Sequence, residues 1–342
     1  MTMETYDWLA HNILVGFTEK RGDAWWHRKV DANGGPANHF PQAVPLETVI
    51  SRIFNWEAGY TSVFTGPDSE HVTQQDRFQA VVNTTTGYVF GIPTDSYRIH
   101  NRREWCLDTV SSVLDTSSGD LAIAGAGQLR NGAVSYVQFE MPDNVQVAGE
   151  SFRPFITAST TLDSSAASQL VCGVTRVVCD NTLAANLAER GRAFSLRHTR
   201  NSVLDMSKAR DALGIMHQVA TDFEKEMDEL CATVVTDRQF DKIVKALTES
   251  KPKPGRPLSA RGITMAANKA AAVRRLYSED PRVAPWKGTA FGVEQAFNTY
   301  RQHEGIVRNA VRPERNMLNA LDGTGARLDA EVRGVLASVL AK

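Results

Sequence analysis

Between Met206 and Val234 the apolar residues Met206, Ala209, Leu213, Met216, Ala220, Phe223, Met227, Leu230 and Val234 step by three and four in strict alternation. That spacing places all of them on one face of a single long α-helix. Two arrangements can cover such a stripe. Four heptads suffice for a coiled-coil seam between two copies of the chain, whereas the small residues Ala209 and Ala220 suit close packing of the helix across a sheet of its own domain. A homo-oligomer through the helix Met206 to Val234 is therefore one of the partners to expect.

Upstream, the pattern is that of strands and hairpins. Residues 1–45 carry Trp25-Trp26-His27 and Asn33-Gly34-Gly35-Pro36 without a sustained period, which predicts an irregular arm. Leu46 to Phe54 has the spacing of a short helix. Ser62 to Phe64, Phe78 to Asn83 and Tyr88 to Ile92 read as strands, with Thr84 to Gly87 closing a hairpin. Arg102 to Leu114 predicts a helix that turns Trp105, Val110 and Val113 toward a core. A second hairpin joins Leu121–Leu129 to Ala133–Met141 through Asn131-Gly132, residues that tolerate positive φ. On its second strand Val137, Phe139 and Met141 alternate with Gln138 and Glu140, so one face is expected buried and the other wet. Phe152 to Thr161 and Leu170 to Val178 add two strands, and Asp180 or Asn181 caps a helix to about Arg190.

Downstream, a helix over Asp237 to Thr248 precedes Ser250 to Pro257, a basic, Pro-rich stretch that cannot be helical. Further helices are predicted over Ala260–Tyr277, Gly288–Gln302 and Leu328–Leu340. The expected fold class is α+β: an antiparallel, hairpin-rich sheet packed against the long amphipathic helix, with a helical C-terminal part. The expected domains are an α+β core over 1–249, a linker over 250–259 and a helical region over 260–342.

Composition narrows the function. At 42% hydrophobic and 23% charged the chain matches folded globular proteins. No run of eighteen apolar residues occurs, and the first twenty residues lack a signal pattern, so no membrane partner is expected. Cys106, Cys172, Cys179 and Cys231 fit neither a disulfide framework nor a zinc site and imply reduced thiols in a cytoplasm. There is no Gly-rich phosphate loop followed by Lys, no dinucleotide fingerprint, no HExxH pair and no GxSxG elbow. The reading is no cofactor, no metal and no assigned catalytic residue.

The formal net charge is −1, so any nucleic-acid footprint must be local. Ser250 to Ser278 holds seven basic residues and no acidic one: Lys251, Lys253, Arg256, Arg261, Lys269, Arg274 and Arg275. A second basic cluster, Arg190, Arg192, Arg197, His198 and Arg200, could track a backbone or pair with nearby acids. Between Thr175 and Leu183 a strand meets a helix start, where Arg176, Asn181 and Thr182 could hold a phosphate on backbone N–H groups. The same helix start could activate Cys179, or Cys179 could be a small core residue beside a simple cap. Tyr88, Tyr97, Tyr136 and Trp286 could stack bases or fill the core.

The run Arg176-Val-Val-Cys-Asp-Asn-Thr-Leu183, then Leu196-Arg197-His198-Thr199 and the long helix, resembles the phage- and plasmid-associated family known as domain of unknown function 932. Thr86-Gly87 with Tyr97 and Asn101-Arg102 resembles its early hairpin, and Gly323-Thr324-Gly325-Ala326-Arg327-Leu328 its C-terminal end. Two departures are Trp26-His27-Arg28, where members often have Trp-His-Gly, and Thr160 to Ser165, where members often carry a histidine. The resemblance implies a mobile genetic element rather than a mechanism. The leading expectation is a non-catalytic bacteriophage protein that binds or anneals single-stranded DNA in replication or recombination. Alternatives are an enzyme centred on Cys179, Asn181 and His198, and a host-interaction protein directed against a defence system.

Overall fold

The computed structural model describes residues 3–24, 37–108, 122–140, 145–147, 150–176, 194–199, 222, 224–249, 259–308 and 311–341. The chain divides into two compact units, one comprising Met1–Val145, Ser151–Ala184 and Arg190–Ala220 and the other Gln146–Glu150, Ala185–Glu189 and Thr221–Lys342. Among the described residues no helix is long and apolar enough to cross a membrane. The protein is α+β, with antiparallel strands and a helical C-terminal part.

In the first unit the expected irregular arm is corrected. Helix α1 (Met3–Asn12), strand β1 (Ile13–Val15) and the short helix α2 (Thr18–Arg21) occupy part of it. Leu9, Ala10, Ile13, Leu14 and Val15 are all buried there, and β1 pairs antiparallel with β5 (Ala122–Leu129). Helix α3 (Leu46–Ile53) forms where expected and buries Val49 and Ile53. Strands β2 (Ala58–Thr65), β3 (Thr73–Asn83) and β4 (Val89–Gly91) make a three-stranded sheet in that order. The β3–β4 turn closes because the Asn83 side chain accepts from the Thr85 and Thr86 N–H groups, while Gly87 adopts φ 73°.

The larger sheet follows β1-β5-β6-β7-β8-β9, with β6 Val134–Glu140, β7 Glu150–Thr161, β8 Ser168–Arg176 and β9 Phe194–Leu196. Asn131 (φ 54°) and Gly132 (φ 94°) turn β5 into β6, as their residue types predict. Register aligns Val137 with Ala126 and Ala158, and Phe139 with Ile156. This face forms the core with Ile53, Trp105 and Leu170.

The opposite face is not wet. All seven residues of β6 are buried, Gln138 and Glu140 among them. The Glu140 carboxylate lies 3.6 Å from the Arg153 guanidinium on β7, with side-chain exposures of 0% and 4%. Alternation records which positions tolerate water, and a buried ion pair satisfies the same pattern without any. The helix expected over 102–114 is a π-turn at Glu104–Asp108 where it is described; Trp105 is buried as expected, and Val110 and Val113 lie outside the described residues.

The second unit contains α4 (Asp237–Thr248), α5 (Ala260–Glu279), α6 (Ala290–Thr299), α7 (Arg312–Leu321) and α8 (Thr324–Leu340). Its core joins Phe240, Ile243 and Val244 of α4 to Val273 and Tyr277 of α5, Val293 and Phe297 of α6, and Val332 and Leu336 of α8. Because α4 supplies three of these side chains, the compact helical unit begins upstream of the Pro-rich stretch, of which 250–258 lie outside the described residues. Of the long periodic segment, residues 224–232 are helical and 200–221 lie outside the described residues. Met227 is buried, but Val234 has left the helix. It is 71% exposed and bridges to Thr289, because the Val235 N–H bonds the Gly288 carbonyl and draws the chain out of the helix. The stripe therefore ends before Val234.

Candidate functional site

In the first unit, side chains distant in sequence meet beneath the core face of the large sheet. The His198 and His100 rings stack at 4.2 Å between centroids, and Tyr97 stacks on the far side of His198 at 4.8 Å. His198 Nδ1 lies 2.8 Å from the Arg98 carbonyl, which can only accept, so Nδ1 carries the proton and Nε2 is the lone pair. Ser168 Oγ stands 3.3 Å from that Nε2 and donates to it. His100 Nδ1 at 2.8 Å and Thr160 Oγ1 at 2.6 Å then both donate to Ser168 Oγ. Tyr97 and Trp105 donate to the carbonyls of Thr161 and Ser159 on β7.

Burial lowers the His100 pKa to about 4, with the neighbouring His198 adding to the effect. Burial likewise lowers His198, against the opposing pull of the Arg98 carbonyl and Asp163. Both shifts favour the neutral ring near pH 7, which matches Ser168 donating to His198. A hydroxyl aimed at an oriented imidazole has the geometry of general-base activation. Ser168 and Thr160 have no exposed surface, however, so the network serves to tie residues 97–105, 160–168 and 198 together. Sequence reading singled out Tyr97 and His198 as family-like and Thr160 within a departure from the family, but gave no signal that they meet, and it missed His100 and Ser168 altogether.

In the second unit, α5, α7 and a π-turn that follows α6, Tyr300–Glu304, enclose a groove of about 950 Å³. Lys269, Arg301, Arg308 and Arg315 line it with one carboxylate, Glu304, which is engaged at 2.5 Å by Arg275. Thr248, Asn268, Asn316, Asn319 and the Tyr300 ring add to the polar lining, beside apolar Met265, Ile306, Val307 and Leu328. Arg308 and Arg315 make no ion pair among the described residues, and Arg315 donates to the Arg308 carbonyl at 3.0 Å. A π-turn shifts side chains off the ordinary helical stagger and recurs at functional sites. Here it brings Tyr300, Arg301 and Glu304 to the groove wall.

Of the expected nucleic-acid contacts, Asn181, Thr182, Lys251, Lys253 and Arg256 lie outside the described residues, as does Cys179, and of Arg176 only the backbone is described, at the end of β8. Arg197 and Arg261 are exposed. His198 is corrected: it is buried and neutral, with both ring nitrogens engaged. Arg274 pairs with Asp241 at 2.9 Å and Arg275 with Glu304, which reduces the charge each presents. Among the aromatics, Tyr97, Tyr136 and Trp286 are buried and cannot stack a base, whereas Tyr88 is exposed. Burial pushes the thiol of Cys106 up out of the thiolate range and that of Cys231 up to about 11. Among the described residues, no group of three or more His, Cys, Asp or Glu side chains could hold a metal ion.

Fold and sites thus define an α+β protein with a buried imidazole–hydroxyl network in its sheet unit and a basic groove in its helical unit. Residues 89–322 match the family described as Domain of unknown function (DUF932), and the chain belongs to that family. The matched span holds the whole imidazole network and nearly the whole groove. No curated protein and no solved structure matches the chain.

Proposed function

We propose that this is a phage or prophage protein that holds single-stranded nucleic acid in the groove of its helical unit, in the service of replication or recombination. The observation that carries the reading is the charge of that groove, where Lys269, Arg308, Arg315 and Arg301, the last paired with the buried Asp329, stand against one lining carboxylate already engaged by Arg275, in a chain of net charge −1. A local concentration of cations on a nearly neutral molecule has a polyanion as its natural counterpart. Tyr300 offers a ring for stacking, and three asparagines offer hydrogen bonds to sugar or base edges. Lys269 belongs to the basic run 251–275 that points to the same partner from sequence, and Arg261 on the first turn of α5 could extend the track.

Binding of labelled oligothymidine and of a duplex of equal length, followed over a salt series, tests this. The wild type should prefer the single strand and weaken as salt rises, and Arg308→Ala with Arg315→Ala should weaken it further. Absence of binding at low salt, or full affinity in the double variant, would remove the groove from consideration.

A further inference from the structure

Resting on that reading of the groove, we infer that Arg301 is a phosphate-binding residue whose availability is set by the proton on Asp329, so that the groove takes up a phosphodiester together with a proton. The guanidinium of Arg301 lies between two claims. It lines the groove with 24% of its side chain exposed, and it donates to the carboxylate of Asp329 on α8, which is only 6% exposed.

Behind Asp329 stands Glu294 on α6, fully buried and held by Arg333 at 2.6 and 3.1 Å, and Arg333 also bonds Glu226. Glu226 and Glu294 thus both take the Arg333 guanidinium, while Asp329 takes that of Arg301. An anion in the groove competes with Asp329 for Arg301. Its binding leaves Asp329 facing Glu294 with less compensation, and a proton from solvent onto the Asp329 carboxylate relieves this. By linkage the same proton, already in place, frees Arg301 and strengthens anion binding.

The surrounding groups leave Asp329 as the one that responds near neutrality. Burial pushes its carboxyl up to about 7; Arg301 and Arg333 pull it down, and Glu294 pushes it further up. His303, beside Arg301 in the π-turn, is lowered to about 4, first by burial and then by Arg282, and stays neutral in this range. Lys269, which feels both Arg301 and Glu331, is lowered by burial, and the Tyr300 phenol is raised by burial. Glu304 remains engaged by Arg275.

The test uses oligothymidine, whose phosphodiesters do not titrate in this range, with the full-length protein at constant ionic strength. Affinity should be about tenfold higher near pH 6 than near pH 8. Calorimetry in two buffers of different ionisation enthalpy should show net proton uptake on binding near neutral pH. Asp329→Asn should abolish the pH dependence and give the high affinity throughout. The calorimetric measurement on the wild type stands by itself should that variant fold poorly. Binding with neither pH dependence nor proton uptake overturns the inference and leaves the groove reading intact. A pH dependence that persists in folded Asp329→Asn also overturns it. No binding at either pH overturns both.

Discussion

At the scale of single residues, burial of His100 and His198 has a pH signature. Each imidazole has a folded pKa below its ordinary value of 6.5, so the unfolded chain binds more protons as acid is added. The stability contributed by neutral, bonded rings is complete above about pH 6.5 and falls as pH drops toward the lowered folded values, about 4 for His100. Urea midpoints measured across that window should decline with acid, and His100→Gln should flatten part of the decline. A wild-type midpoint that stays constant would contradict the lowered pKa of the two rings. Glu140 and Arg153 give a second prediction. Arg153→Met takes the guanidinium away from a fully buried carboxylate and should cost about 3–5 kcal/mol. Chemical denaturation would show a loss of this size, and a near-neutral result would mean that the ion pair adds nothing to stability.

Elements were legible where their cause is local. The Thr236 side chain accepts from the Gln239 N–H and the Gln239 side chain returns the bond, a capping box that starts α4 within three residues. Thr236→Ala should cost about 1 kcal/mol in a denaturation experiment. The Asn131-Gly132 turn is likewise visible in residue types, since both must take positive φ. The break between α7 and α8 falls at Gly323, φ 72°, where the sequence reading began a helix only at Leu328. An alanine there should cost about 1–2 kcal/mol, because a Cβ disfavours the left-handed region; unchanged thermal stability would show that the turn can rearrange. The two π-turns leave no periodic trace, since each displaces a single turn inside a pattern that otherwise reads as α-helix.

For the whole molecule, a net charge of −1 requires that any polyanion be held by a local cluster of cations, and the groove is the cluster proposed here. Replacing Arg308 and Arg315 should lower the salt dependence of single-strand binding by about 0.7 per phosphate contact removed, measurable as the slope of log affinity against log salt. An unchanged slope with weaker binding would indicate that these arginines shape the groove without touching phosphate. By itself the sequence determined the α+β class, both hairpin turns, the positions of α3 to α5 and the family-like motifs, because each depends on residues within a turn or two of one another. Tertiary structure alone decided that β6 is buried on both faces, that Val234 leaves its helix, that His198 is a neutral member of a network with His100 and Ser168, and that Lys269, Arg301, Arg308 and Arg315 line one groove. The physical reason is distance along the chain. Ser168 meets His100 across 68 residues and His198 meets Arg98 across 100. Burial, protonation and clustering of charge depend on such long-range neighbours, which no local spacing encodes.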